Sequence, residues 1–279
     1  MIKKTFLFLF LLITVVPGFA SAHQPRLVES RNTVVTDPEI SKAYYGKLTG
    51  VPDTYTITSP NPFKLYVNVL VPDIENPQKD VSVTIQKDGK QVTVLDGIVF
   101  TWTKMFEPFG YDSYWKGPEY STTANAGVYI ITVTSLNNDS KYSLAIGEAE
   151  NFNATEVLNA LTLIPQLKQD FFNESSISFI LSLFGLGLII VLYILAFIFG
   201  FTYRFVLLKF AKKSIRGVSQ NIGTNDRLFR IFIGVALLAF AITTSWSPLL
   251  IFFSGFAVFE GVFSWCGLYA TIGKSTCPS

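Results

Sequence analysis

Glu260 is the residue whose placement most demands a chemical reason. It is the single charge in the apolar run Leu249–Tyr269. A carboxylate at bilayer depth costs at least about 2.5 kcal/mol on insertion scales, so an acid there points to a protonated carboxyl, a proton relay or a pair with a basic residue. If the helix slid outward, Glu260 would approach the headgroups and need no such role. Asp226, Arg227 and Arg230 stand where a second apolar run begins. Asp226 there would complement the helix dipole, with Asn221 or Asn225 as the cap. The two arginines could hold a small anion or a lipid headgroup, or could simply anchor the helix at the interface. Cys266 and Cys277 are the only thiols. Metal or redox chemistry would need partners that no histidine supplies, so an inert structural role is favoured.

A second group lies far upstream. Between Trp102 and Tyr120, seven aromatic residues are interleaved with acids, and Trp102, Glu107, Asp112, Trp115 and Glu119 are the candidates. Aromatic faces beside carboxylates suit a carbohydrate or peptide groove, and clustered acids could hold calcium. The competing reading is a long loop that packs its aromatics on the end of a domain. His23 is the only histidine, which excludes any copper site built on two imidazoles, and no nucleophile–base–acid arrangement stands out in the sequence. We expect no enzyme activity, no cofactor and no bound metal.

These residues need elements to position them. The chain has 279 residues, 49% of them hydrophobic, with a mean hydropathy of +0.40. Residues 1–22 have Lys3 and Lys4, an apolar core from Phe6 to Val16, a Pro17-Gly18 break and Ala20-Ser21-Ala22, the layout of a cleaved signal peptide. From His23 to Ser176 there are 12 Lys/Arg and 18 Asp/Glu, a net of −6; from Arg204 onward there are 8 and 2, a net of +6. The basic excess flanks apolar segments, so it reads as an orientation signal and not as a nucleic-acid surface.

Residues 23–150 carry period-two alternation with turn punctuation, predicting seven or eight strands in an all-β sandwich. Phe63–Val71 is the clearest strand, and Lys87-Asp88-Gly89-Lys90 predicts a tight hairpin between Val81–Ile85 and Gln91–Val94. The closing strands are similar to the ends of jelly-roll modules beside secreted bacterial peptidases. Residues 151–175 repeat Val157, Leu158, Leu161, Ile164, Leu167 and Phe171 at helical spacing, predicting an amphipathic juxtamembrane helix that Pro165 should interrupt or kink. Ile177–Thr202 carries no charge and exceeds the roughly 20 residues a span needs; we place the span at 176–203. A basic loop at 204–220 contains Arg204, Lys209, Lys212, Lys213 and Arg216. Residues 221–279 then form a helical hairpin turning at Thr244–Pro248. Small residues at Ala196/Gly200 and Ala257/Gly261 permit close helix contact.

The segment N-I-G-T-N-D-R-L-F-R-I-F-I-G from Asn221 and W-C-G-L-Y-A-T-I-G-K-S-T-C from Trp265 resemble the YgaP-type inner-membrane domain, a two-helix module. Gly267 replaces a proline usual in that family. No rhodanese loop is present, so sulfur-transfer chemistry is not implied. The resemblance implies an in–out–in threading, a homodimer through the helices and a link to export of small sulfur-containing anions. The expectation is therefore a multi-pass protein of a prokaryotic cytoplasmic membrane with three spans, its mature N-terminus outside and C-terminus inside. It would contact membrane lipids and bind an envelope protein or a carbohydrate through the sandwich; the alternative is an accessory to transport of a small anion or protons.

Overall fold

The computed structural model describes residues 23–210 and 220–277. The signal-like residues 1–22 and Lys212, Lys213 and Arg216 lie outside these. The chain forms two compact units. The first holds the strands up to Val71, Gln78–Phe109 and Trp115–Phe152; the second holds Pro72–Pro77, Gly110–Tyr114 and the chain from Asn153.

Eleven strands are present among the described residues: β1 (Gln24–Leu27), β2 (Asn32–Val34), β3 (Lys42–Lys47), β4 (Asp53–Ser59), β5 (Phe63–Pro72), β6 (Ser82–Lys87), β7 (Lys90–Leu95), β8 (Thr103–Glu107), β9 (Asp112–Ala124), β10 (Gly127–Thr134) and β11 (Lys141–Ile146). They make a six-stranded sheet ordered β1-β3-β11-β5-β9-β8 and a five-stranded sheet ordered β2-β4-β10-β6-β7. Alternation decides which face is inside. Tyr55 and Ile57 of β4, Ile131 and Val133 of β10 and Val83 and Ile85 of β6 are fully buried, with Ile131 in register with Tyr55 and Ile85. They share one core with Leu65, Val67 and Val69 of β5. The β6–β7 hairpin forms as its sequence predicts, with Asp88 and Gly89 at φ +47° and +78°, the double positive φ of a two-residue turn.

The strand count exceeds the expected seven or eight, and residues 102–120 correct the long-loop reading. They form the β8–β9 hairpin, with β9 running 13 residues. Gly117-Pro118 looks like a break in sequence because proline cannot donate to a ladder. Here the Asn68 side chain donates to both the Gly117 and Pro118 carbonyls at 3.2 Å. A side chain on Gly117 would meet the Trp102 ring at 2.6 Å, so glycine is what lets that indole lie flat in the core.

In the second unit, helix α1 (Ala154–Asp170) is capped by Asn153, whose side chain accepts from the Glu156 amide. It runs through Pro165 without a break, and Leu158, expected on its buried face, is exposed. A 3-10 turn at Ser176–Leu181 precedes α2 (Leu183–Phe210). The uncharged run therefore starts its long helix later than expected, because Ser182 accepts the Gly185 amide at 2.8 Å and serves as its cap. Helices α3 (Thr224–Thr244) and α4 (Pro248–Phe263) form the hairpin, followed by the short α5 (Gly267–Ile272). Leu183–Lys209 and Thr224–Thr244 are long and apolar enough to cross a membrane. At 16 residues, α4 rises about 24 Å, short of the ~30 Å of a bilayer core. The expected second apolar run ends early because Ser264 turns left-handed, at φ +54°.

Candidate functional site

That early ending re-places Glu260. It lies in the last turn of α4, not midway along a span, and it is 8% exposed. Arg230, two turns into α3, pairs with it and also donates Nε to Asp226 Oδ1 at 3.1 Å. Asp226 in turn accepts from the Thr276 hydroxyl at 3.1 Å. The Arg230 guanidinium stands 5.0 Å from the Tyr269 ring centre. Arg227 donates Nε to the Gly261 carbonyl at 3.0 Å, a helix-to-helix bond. The Cys266 thiol lies beside Glu260 and Arg230.

Asn221 holds the connecting segments together. Its side-chain amide donates to the Cys266 carbonyl and accepts the Cys266 amide, both at 2.8 Å, copying a strand pairing. Its own amide bonds the Ser264 carbonyl, and its carbonyl accepts from Thr276. Gly223, not an asparagine, occupies the helix cap. Gly234 lets α3 approach α4: a Cβ there would meet Val258 at 2.7 Å and the Ser254 carbonyl at 2.9 Å. Gly261 faces Ile231 and the Arg227 carbonyl of α3, and Gly255 faces Tyr193 and Ala196 of α2. Small residues thus serve contacts within this chain.

The structure brings four sequence candidates together: Asp226, Arg230, Glu260 and Cys266. Arg227 reaches the neighbouring helix's backbone. Cys277 is partly exposed, and both thiols are free. Each charge in the cluster already has a protein partner. Chemically the arrangement clamps one end of the hairpin.

The upstream candidates do not form one groove. Trp102 is 8% exposed in the sandwich core, its indole N–H donating to the Gly97 carbonyl at 2.8 Å. Glu107 accepts the Phe109 amide at 2.7 Å, turning the hairpin. Trp115 is half-buried, with the Lys79 and Lys104 ammonium groups 3.8 and 5.0 Å from its ring centre. Glu119 bonds Lys116 at 2.9 Å and Tyr66 at 3.0 Å; the Lys116 hydrogen bond, chiefly, holds its carboxyl below the usual value.

Asp112 belongs to the second unit. It is buried and pairs with Lys168 of α1 at 2.5 Å. Burial pushes its carboxyl up, and the Lys168 ammonium pulls it part of the way back. Sequence reasoning missed Lys168, since a lone lysine on an amphipathic helix normally points outward. It also missed a buried chain in the sandwich: Tyr142 donates to Asp53 at 2.7 Å, and its hydroxyl lies 2.8 Å from that of Tyr55. Burial raises the Asp53 carboxyl, against the opposing Tyr142 bond and Arg31 charge.

Residues 218–279 match the family described as "Inner membrane protein YgaP-like, transmembrane domain", the stretch that carries the resemblance from Asn221 onward. With the apolar helices, this makes the chain a membrane protein. No curated protein matches it. Among solved structures it is similar to the pre-peptidase C-terminal domain of collagenase from Bacillus anthracis, at 10% identity over 45% of this chain and 95% of that one, with a TM-score of 0.25. It is also similar to the catalytic domain of a GH87 alpha-1,3-glucanase in complex with nigerose, at 20% identity over 39% of this chain and 22% of that one, with a TM-score of 0.21.

Proposed function

We propose that the chain is a non-enzymatic, membrane-anchored binding protein whose sandwich takes a protein partner along its β7–β8 edge. One observation carries this reading. Six exposed large apolar side chains of the sandwich, Val92, Val94, Ile98, Val99, Phe100 and Phe106, fall within one short stretch. That stretch joins the terminal strand of one sheet to the terminal strand of the other. Val99 is 78% exposed, and exposed apolar side chains gathered in one stretch of a sandwich suit an interaction site. The segment has local contacts, with Asp96 accepting the Ile98 amide at 2.9 Å and Phe100 set edge-on to the buried Trp102. The β6–β7 pairing is bulged at Ile85/Gln86. Bulges discourage strand addition at an edge, which favours recognition through the side chains.

A sugar fits less well, because Trp102 is buried and the Trp115 ring already carries two ammonium groups. The transport reading finds less support too, since Asp226, Arg230 and Glu260 satisfy one another. In the proposed orientation the sandwich lies outside and the C-terminus in the cytoplasm. The signal-like leader and the basic residues from Arg204 to Arg216 support this threading.

The test places a photo-crosslinking residue at Val99 of the full-length chain in native membranes, with Val34 as an equally exposed control on the opposite edge. We expect a discrete protein adduct from position 99 that Phe106→Glu weakens at least about tenfold, and none from position 34. Equal labelling at both positions, or no adduct at 99, would remove the proposal.

A further inference from the structure

Lys168 is the least conventional ionisable group in the second unit. Its side chain is fully buried, against 5% exposure for Asp112 and 49% for Glu174, its two acidic neighbours. The ammonium contacts Asp112 Oδ1 at 2.5 Å and the Tyr111 carbonyl at 3.0 Å, with Glu174 at 3.6 Å. It also lies 5.7 Å from the Phe172 ring centre. Tyr111 sits at φ +61°, a left-handed conformation that a bulky residue holds only when its surroundings impose it. Around the ammonium, Tyr114 meets Phe172 edge-on at 5.2 Å, and the Asp73 amide donates to the Ser113 carbonyl at 3.0 Å. The end of α1 is shaped for the same purpose. Asn173 turns left-handed at φ +56°, and the Glu174 amide returns to the Lys168 carbonyl at 2.7 Å.

We infer that Lys168 is a latch: one buried ammonium fastens the tip Gly110–Tyr114 to the end of α1, and the fastening opens without unfolding the sandwich. Two facts favour a latch over a plain stability element. A buried ion pair yields little net stability against an apolar pair of the same volume, while removing one partner leaves a charge stranded. And the ammonium is bound to the one residue of the tip whose backbone is held off its favoured conformation, so releasing it lets Tyr111 relax. This device goes beyond the binding reading and does not depend on it.

Hydrogen exchange on the full-length chain in lipid nanodiscs tests it. Lys168→Met, of similar length and without charge, should speed exchange of 110–114 and 171–175 by about tenfold or more while β4 and β10 keep wild-type rates. Unchanged exchange at the tip would make the pair a passenger. Equal acceleration through β4 and β10 would make it part of global stability. Either result overturns the latch. A second measurement needs no variant: amine-reactive labelling of the wild-type chain. Local opening predicts that Lys168 is labelled much faster than the β4 and β10 amides exchange. Labelling no faster than those amides would also defeat the proposal.

Discussion

The two units each bury a carboxylate, and they neutralise it in opposite ways. In the sandwich, Asp53 is met by the hydroxyl of Tyr142, which leads on to Tyr55. That answer is neutral, and it leaves desolvation dominant, so burial raises the Asp53 carboxyl. In the helical hairpin, Glu260 is met by Arg230, which Asp226 holds from the other side. That answer is ionic. The difference follows from what surrounds each site. A sandwich end can let a carboxylate take up a proton and keep its hydrogen bonds. Between apolar helices an unpaired charge has neither water nor a substitute, so the sequence supplies a countercharge on the facing helix.

The comparison breaks most sharply if the ionic answer is dispensable. Arg230→Ala strands Glu260 and frees Asp226, and breaking a buried pair of this kind costs about 3–5 kcal/mol. Unfolding of the purified chain in mixed micelles should show that loss, and Arg230→Leu with Glu260→Leu should recover most of it. Glu260→Gln keeps a hydrogen-bond acceptor and should cost less than Arg230→Ala. A wild-type-like Arg230→Ala would mean that the cluster is not the clamp described above.

The neutral answer should be cheaper to remove. Tyr142→Phe deletes the donor to Asp53 and the link to Tyr55 while leaving the ring in place over Gly46. A buried acceptor left unsatisfied costs about 1–3 kcal/mol, which thermal unfolding of the sandwich would report. A loss equal to that of Arg230→Ala would erase the distinction between the two units.

Sequence reasoning reached the period-two strands, the Asp88-Gly89 turn and the residues of the hairpin's polar end. Each of these is written in local spacing. It left the place of Glu260 along its helix open, because the end of α4 depends on the left-handed Ser264 and on Asn221 clamping Cys266 from 45 residues away. Its competing reading of 102–120 as a long loop fails because Gly117-Pro118, a break by local rules, is repaired by Asn68 on another strand. Trp102 reads in sequence as one candidate ligand-facing aromatic, yet its indole finds both its hydrogen bond and its floor, Gly117, inside the fold. Lys168 was passed over since nothing local marks a lysine that will be buried against an aspartate 56 residues earlier. What stayed hidden in each case is a contact between residues distant in sequence.

The smallest expected effect is also the one that tests the neutral answer most directly. The folded-state value of the Asp53 carboxyl lies above its unfolded value of about 3.9, so the folded state favours the protonated form. Its contribution to stability is therefore complete below about pH 4 and is lost as pH rises through the raised folded-state value. Asp53→Asn mimics the protonated acid at every pH and still accepts from Tyr142. The wild type should thus match the variant in acid and fall progressively below it toward neutral pH, as read by the difference in Tm between the two chains. A difference that does not change with pH would mean that Asp53 keeps its charge unaided by a proton, and that the sandwich too relies on an ionic partner, with Arg31 the one to test next.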